Sequence, residues 1–258
     1  MAEEDRAGAT GETEAAPTID ADPPRPAMKA FPALFSCWRT GPGVDRSSVS
    51  SKRKKDVLCY GVHALSSAHH DIRILKRQHA THWFGYRVWA SSWLLMDFLK
   101  RCAMPAGSHV MELGCGWGLA GIYCAKTFKA VVTGVDIDPE VFHYLHRHSE
   151  INEVDIATIN LGFKDLTRDH LRGVKVLIGA DICFWDSMVE PICTLISRAM
   201  DEGVRLVVLA DPGRPPFSRI GEFFGKDRGG EMLKWSTLQP HPIEGRILRI
   251  SSLTHPIH

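Results

Sequence analysis

From about Arg87 to Ala210, short apolar runs of strand character alternate with segments of helical periodicity. No other feature of the chain constrains its fold as much. The apolar runs fall at 109–113, 130–136, 157–161, 174–180 and 204–210, and helical segments at 118–128, 139–150 and 188–202 lie among them. Ahead of the first run, Arg87 to Cys102 carries apolar residues at the spacing of an amphipathic helix. Strands joined through helices pair in parallel and must bury both faces, so the pattern predicts an α/β, doubly wound, mostly parallel sheet. After residue 210 the pattern changes to a Pro/Gly-rich loop, a short helix near 216–225 and strand-like runs at 231–238 and 245–253. The last two face each other across Gln239-Pro240-His241-Pro242 and predict an antiparallel C-terminal edge, which brings the sheet to seven strands.

The chain of 258 residues, 44% hydrophobic, is long enough to bury one substantial core without staples. No window approaches the ~18 uninterrupted apolar residues of a membrane span. The formal charge of +1 conceals an asymmetry: residues 1–27 hold seven acids against Arg6 and Arg25, a net −5. The other 231 residues therefore carry +6. The Pro-rich, acidic leader and the Gly/Ser linker that closes on Lys52-Arg53-Lys54-Lys55 read as disordered through residue 55, and the basic run as a solvated cluster. Residues 56–86 are expected to form an accessory or lid segment, and 87–258 the main domain. Seven cysteines, odd in number and without a CxxC pair, fit reduced and buried thiols. An acidic N-terminus without an apolar h-region predicts a cytoplasmic protein.

The strongest local signal is His109-Val-Met-Glu112-Leu-Gly114-Cys-Gly116-Trp-Gly118-Leu-Ala-Gly121, an apolar strand running into glycines and then a helix. In an α/β sheet, ligands bind beyond the carboxyl ends of the strands, and the turn there must let a ligand approach the backbone. A second strand, Val131 to Val135, ends in Asp136, whose carboxylate suits a pair of ribose hydroxyls. Pro139 suits the first position of the next helix. Two cofactors compete for this arrangement. Gly116-x-Gly118-x-x-Gly121, with Asp136 20 residues beyond Gly116, spells a dinucleotide fingerprint. Its register is off, however, because the strand ends at Leu113 and the first loop glycine is Gly114.

Read from Glu112, the loop is E-L-G-x-G-x-G. This resembles motif I of the class I, seven-strand, S-adenosylmethionine-dependent methyltransferases, whose fold is Rossmann-like. The resemblance implies S-adenosylmethionine as cofactor, with Gly114, Gly116 and Gly118 against it and Asp136 at its ribose hydroxyls. Glu112 would orient the loop or the cofactor's amino group. In the loop after the third strand, Gly162, Phe163 and Asp165 are the candidates to meet the adenine, and Phe163 is equally a core residue by its type.

Gly85-Tyr-Arg87-Val-Trp89, the glycine loop, V-D-x-D at 135–138 and Ala180-Asp181-x-x-Phe184 together resemble methyltransferase family 16, the lysine-specific protein methyltransferases, over residues 84–213. The family has Tyr where this chain has Phe184. A phenyl ring keeps the wall against a methylated amine and loses a hydroxyl partner. The resemblance implies methyl transfer to a protein lysine, with Asp181 and Phe184 as catalytic candidates and Trp89 and Asp181 beside the cofactor. A carboxylate at Asp181 can hold an incoming ammonium and orient its lone pair, and the same residue type also caps helices, here one beginning near 187. Trp89 and Trp185 can wall a lysine channel through cation–π contacts or pack as core. Arg87 and Arg214 are either ligand-binding or solvated. The Asp211-Pro-Gly-Arg214 stretch resembles one branch of these enzymes and carries no assigned role.

Five of the 13 histidines fall between His63 and His82, and His143, His146 and His148 share one predicted helix. No spacing matches a zinc pattern, so the histidines read as surface or interface groups with no metal. The expected partner is a protein, with an acidic surface suited to the mildly basic body. Membrane and nucleic acid are not expected, and the chain reads as a monomer. Other readings are a methyltransferase for a small-molecule amine or RNA, an NAD(P)-dependent oxidoreductase, and an inactive cofactor-binding interaction module.

Overall fold

The computed structural model describes residues 56–225 and 228–251; the leader, the basic run and Cys37 lie outside the described residues. The described chain opens with an antiparallel hairpin, β1 (Val57–Cys59) and β2 (Val62–Ala64), and a helix, α1 (His70–Gln78). α2 (Ala90–Leu99) follows, apolar nearly all round, with Trp93, Leu94, Leu95, Met96, Phe98 and Leu99 buried. Such a helix is stable only when other elements cover it.

The parallel part of the sheet comprises β3 (His109–Leu113), β4 (Val131–Asp136), β5 (Ile156–Asn160), β6 (Val176–Ala180) and β7 (Leu206–Asp211). α3 (Leu119–Phe128), α4 (Val141–Asn152), a single turn α5 (Arg168–Leu171) and α6 (Val189–Asp201) connect them. α7 (Pro215–Phe224) then leads to the hairpin β8 (Gly230–Thr237) and β9 (Ile243–Ser251). The strand order is β5-β4-β3-β6-β7-β9-β8, with β9 antiparallel to both its neighbours. This is the expected seven-strand, Rossmann-like sheet with its antiparallel edge.

Side chains alternate between two apolar faces. Val110, Ile178 and Val208 point into one core cluster with α2 and α3, while Met111, Leu177 and Val207 point into the other with α6 and α7. Both faces are therefore covered, which is why the strands read as continuous apolar runs. Expected strand and helix bounds fall within two residues of those observed, except at α2, which starts three residues later than Arg87 and ends three before Cys102. The helix after β4 also begins at Val141, beyond Pro139, because Asp138 and Pro139 first form a turn whose carbonyls accept from Val141 and Phe142. The six described cysteines are free and buried. Among the described residues no helix is long and apolar enough to cross a membrane.

Candidate active site

β3 pairs with β4 on one side and β6 on the other, so the connections leave this strand in opposite directions. A crevice opens at such a switch point, beyond the strands' carboxyl ends. A cavity of about 550 Å³ occupies it, lined by the ends of β3, β4, β5 and β6 and by residues 83–85 and 87–89.

The glycine loop forms one wall. Gly114, Gly116 and Gly118 have φ of +55°, +50° and +72°. At Gly118 a Cβ would lie 2.6 Å from Leu145 Cγ, so the residue must be glycine for packing as well as for φ. At Gly116, which lines the cavity, a Cβ would meet nothing within 4 Å, which leaves the backbone open to a ligand. Asp136 fastens this loop: its Oδ2 accepts from Gly116 N (3.0 Å) and its Oδ1 from Asp138 N (3.0 Å). Burial raises its pKa above the ordinary carboxylate range, against these two bonds.

Glu112 is wholly buried and its Oε2 accepts from Gly121 N at 2.9 Å, in the first turn of α3. The residue that starts this helix is Gly118, which has no side chain to cap it, so Glu112 does so from the neighbouring strand. Loss of hydration pushes its pKa up to about 8. Phe163 and Gly162 line the cavity, whereas Asp165 is exposed and outside the lining, turned back over Gly162.

The opposite end is aromatic. Phe84 and Phe184 stack with centroids 4.2 Å apart, Trp89 meets both rings edge-on at 6.0 and 5.8 Å, and Trp185 closes on Phe84 at 5.6 Å. Trp83 joins Trp185 at 6.5 Å, and these two remain 57% and 44% exposed, large apolar faces turned to solvent at the cavity mouth. Arg87 lies 4.0 Å over the Trp89 ring. Sequence reasoning missed Trp83 and Phe84. The signal was present in the aromatic density of His82-Trp-Phe-Gly-Tyr-Arg-Val-Trp89, whose first part fell in the 56–86 segment expected to be an accessory or lid.

Asp181 sits between the two ends, buried, with its Oδ2 accepting from Ser91 N (3.3 Å) and its Oδ1 2.7 Å from Arg214 Nη2. It is therefore a helix cap, for α2 rather than for a helix near 187; the turn at Asp186–Met188 starts from Trp185 instead. Arg214 Nη1 also meets Asp211 Oδ2 at 2.6 Å, and Asp211 Oδ1 accepts from the Gly213 and Arg214 backbone at 2.7 Å each. Arg214 is thus not a solvated surface group. It bridges two buried acids and lies 4.4 Å over the Phe184 ring.

The sequence pattern of the family described as "Lysine methyltransferase" matches residues 67–215, more than half of the chain. The chain belongs to this lysine methyltransferase family. Among curated proteins, the ribosomal protein L11 methyltransferase of Burkholderia thailandensis is 34% identical over 74 residues, which are 29% of this chain and 24% of that protein. The chain thus matches about a quarter of that relative's length. TrmN from Thermus thermophilus has a similar fold, with TM-score 0.50 and 12% identity over 63% of this chain and 49% of that one. So does an rRNA methylase from Streptococcus thermophilus, with TM-score 0.50 and 12% identity over 65% of this chain and 99% of that one. Family and fold together make the chain a class I methyltransferase and S-adenosylmethionine its cofactor. The cavity fits that cofactor: it offers an open glycine backbone, a carboxylate at the end of β4 and an aromatic ring after β5.

Proposed function

We propose that the protein is an S-adenosylmethionine-dependent N-methyltransferase whose acceptor is a lysine side chain of a protein. The observation that carries this reading is one cavity with a glycine backbone and Asp136 at one end and stacked aromatic faces at the other, Asp181 lying between. When bound, S-adenosylmethionine supplies an electrophilic methyl group on a sulfonium. Gly114, Gly116 and Gly118 would let its chain lie along the loop, Asp136 would accept from the ribose hydroxyls, and Phe163 would cover the adenine. Glu112 acts from beneath, through α3, by holding the loop's far end.

The protein's remaining task is to bring a neutral amine in line at near-attack distance and to exclude water. Phe84, Trp89 and Phe184 form apolar walls. Phe184 is held between Phe84 and Arg214 and Trp89 already carries Arg87, so the walls act by excluding water and shaping the entry rather than by each adding a cation–π contact. Asp181 and Asp211 set two carboxylates against the single guanidinium of Arg214, so with both ionised the trio keeps a net negative charge. That charge favours entry of an ammonium, and Asp181 is the carboxylate nearest the walls that can orient it and receive its proton. The family's own description supports lysine as the acceptor, and the exposed Trp83 and Trp185 suit a macromolecular substrate docked at the mouth. The end of the 56–86 segment, at Trp83, Phe84 and Gly85, would serve as the lid, because these residues line the cavity from outside the sheet.

Calorimetry with S-adenosylhomocysteine, with NAD(H) as the contrast, tests the cofactor. Tritiated-methyl labelling of a cell extract, followed by mass spectrometry, tests the acceptor. Binding of S-adenosylhomocysteine alone and label on protein lysine are expected. No S-adenosylhomocysteine binding overturns the enzyme assignment, and label confined to RNA or small molecules overturns the acceptor.

A further inference from the structure

On the outer side of α4, away from the cavity lining, His79, Glu140 and His143 each bring a ligand atom within 4.8 Å of the other two. His79 ends α1, Glu140 immediately precedes α4 and His143 stands in that helix's first turn. The spacing i, i+3 sets Glu140 and His143 on one face, and the end of α1 meets that face. His79 Nδ1 lies 3.0 Å from Glu140 Oε2, and the two imidazole rings stack with centroids 3.4 Å apart. None of the three lines the cavity.

We propose that these side chains form a binding site for a first-row divalent cation, Zn²⁺ foremost. Two imidazoles and one carboxylate are the donor set zinc takes with a fourth position left for water. Mg²⁺ and Ca²⁺ call for oxygen ligands and are disfavoured. A tetrahedral ion with bonds of ~2.0–2.1 Å holds its ligand atoms about 3.4 Å apart, so the widest separation here must close and the stacked rings must splay. Both are open to movement, since His79 and Glu140 are only half-buried and His143 is exposed. The backbone beneath is fixed: Tyr144 Oη donates to His79 O (2.8 Å), and His82 N donates to Asp138 Oδ2 (2.6 Å). The bound ion clamps the end of α1 to the start of α4, just ahead of the segment that carries Trp83 and Phe84. The site stands independently of the acceptor assigned above.

The test is Zn²⁺ binding by the full chain, in competition with a chromophoric chelator and by native mass spectrometry, with thermal unfolding alongside. One equivalent is expected, with Mg²⁺ failing to compete and Zn²⁺ raising Tm. H79A and H143A should each weaken binding by more than the ~10–100-fold typical of outer-shell partners, with E140Q intermediate. H146A, an exposed histidine on the same helix outside the trio, should bind as the wild type does. Undiminished Zn²⁺ affinity in the H79A/H143A double variant overturns the site, as does an absence of binding by the wild type. Should H79A not fold, H143A alone decides, because that side chain is at the surface.

Discussion

Asp181 holds a backbone conformation that side chains seldom adopt, with φ +57°, and does so while buried. The strain is tolerated because both carboxylate oxygens are engaged, one by the start of α2 and one by Arg214. Asp181→Asn keeps an acceptor for Ser91 N and removes the charge. Turnover should fall by about 100-fold, the lower end of what a general base contributes, while calorimetric affinity for S-adenosylhomocysteine stays within a few-fold of wild type. Undiminished turnover excludes Asp181 from the chemistry. At the other end of the cavity, Asp136→Ala removes both the proposed ribose acceptor and the anchor of Gly116. Its affinity for S-adenosylhomocysteine should drop by about 100-fold, or ~2.7 kcal/mol; unchanged affinity refutes the ribose assignment.

At the scale of elements, the start of each helix separates what the sequence disclosed from what it withheld. The β3–loop–α3 unit was legible because its determinants are adjacent: an apolar run, then glycines at positions that demand positive φ. The start of α2 was not. Its cap comes from Asp181, 90 residues on, and Trp89 folds back to donate from Nε1 to Phe84 O, so residues 87–89 stay extended where periodicity alone continues the helix. Glu112 illustrates the same limit, legible as part of a motif but not as the cap of α3. Burial keeps its carboxyl protonated up to about pH 8, so an amide can replace it. Glu112→Gln should keep the stability of the wild type in urea titrations near pH 4, where the carboxyl is protonated in both folded and unfolded chains, and exceed it at higher pH. Glu112→Ala should lose ~1–3 kcal/mol by stranding Gly121 N–H. The folded value lies above the ordinary 4.5, so this group's contribution is present below about pH 4.5 and is lost as pH rises toward 8. The Gln variant should not share that loss; parallel wild-type and Gln pH profiles are the contrary result.

The whole molecule depends on how residues 56–86 are fastened to the sheet's helices, and polar rather than apolar groups do much of this. Asn152 Oδ1 accepts from His63 N and its Nδ2 donates to His63 O, both at 2.8 Å, so one side chain pairs with β2 as a neighbouring strand would. His148, read from the sequence as a surface or interface group, is fully buried beside it. Helical periodicity ranks both as polar and outward, because nothing local reveals that a hairpin 80–90 residues earlier covers them. Leu65 N donates to His148 Nε2 at 3.1 Å, which requires that nitrogen to be unprotonated and leaves Nδ1–H to donate to Tyr144 O at 2.7 Å. A second proton has no acceptor, and burial lowers the pKa from 6.5 to about 4. Because the folded value is depressed, the unfolded chain takes up a proton below pH 6.5 that the fold refuses. Stability therefore falls as pH drops from about 6.5 to 4, and levels off below. Between pH 7 and 5 this group should cost the wild type about 2 kcal/mol. The difference in unfolding free energy between wild type and His148→Gln isolates it from the opposite trend of Glu112, which both chains share. That difference should shrink by the same amount over this interval as the wild type loses its advantage. If it is constant from pH 7 to 5, His148 does not hold the hairpin as a neutral imidazole.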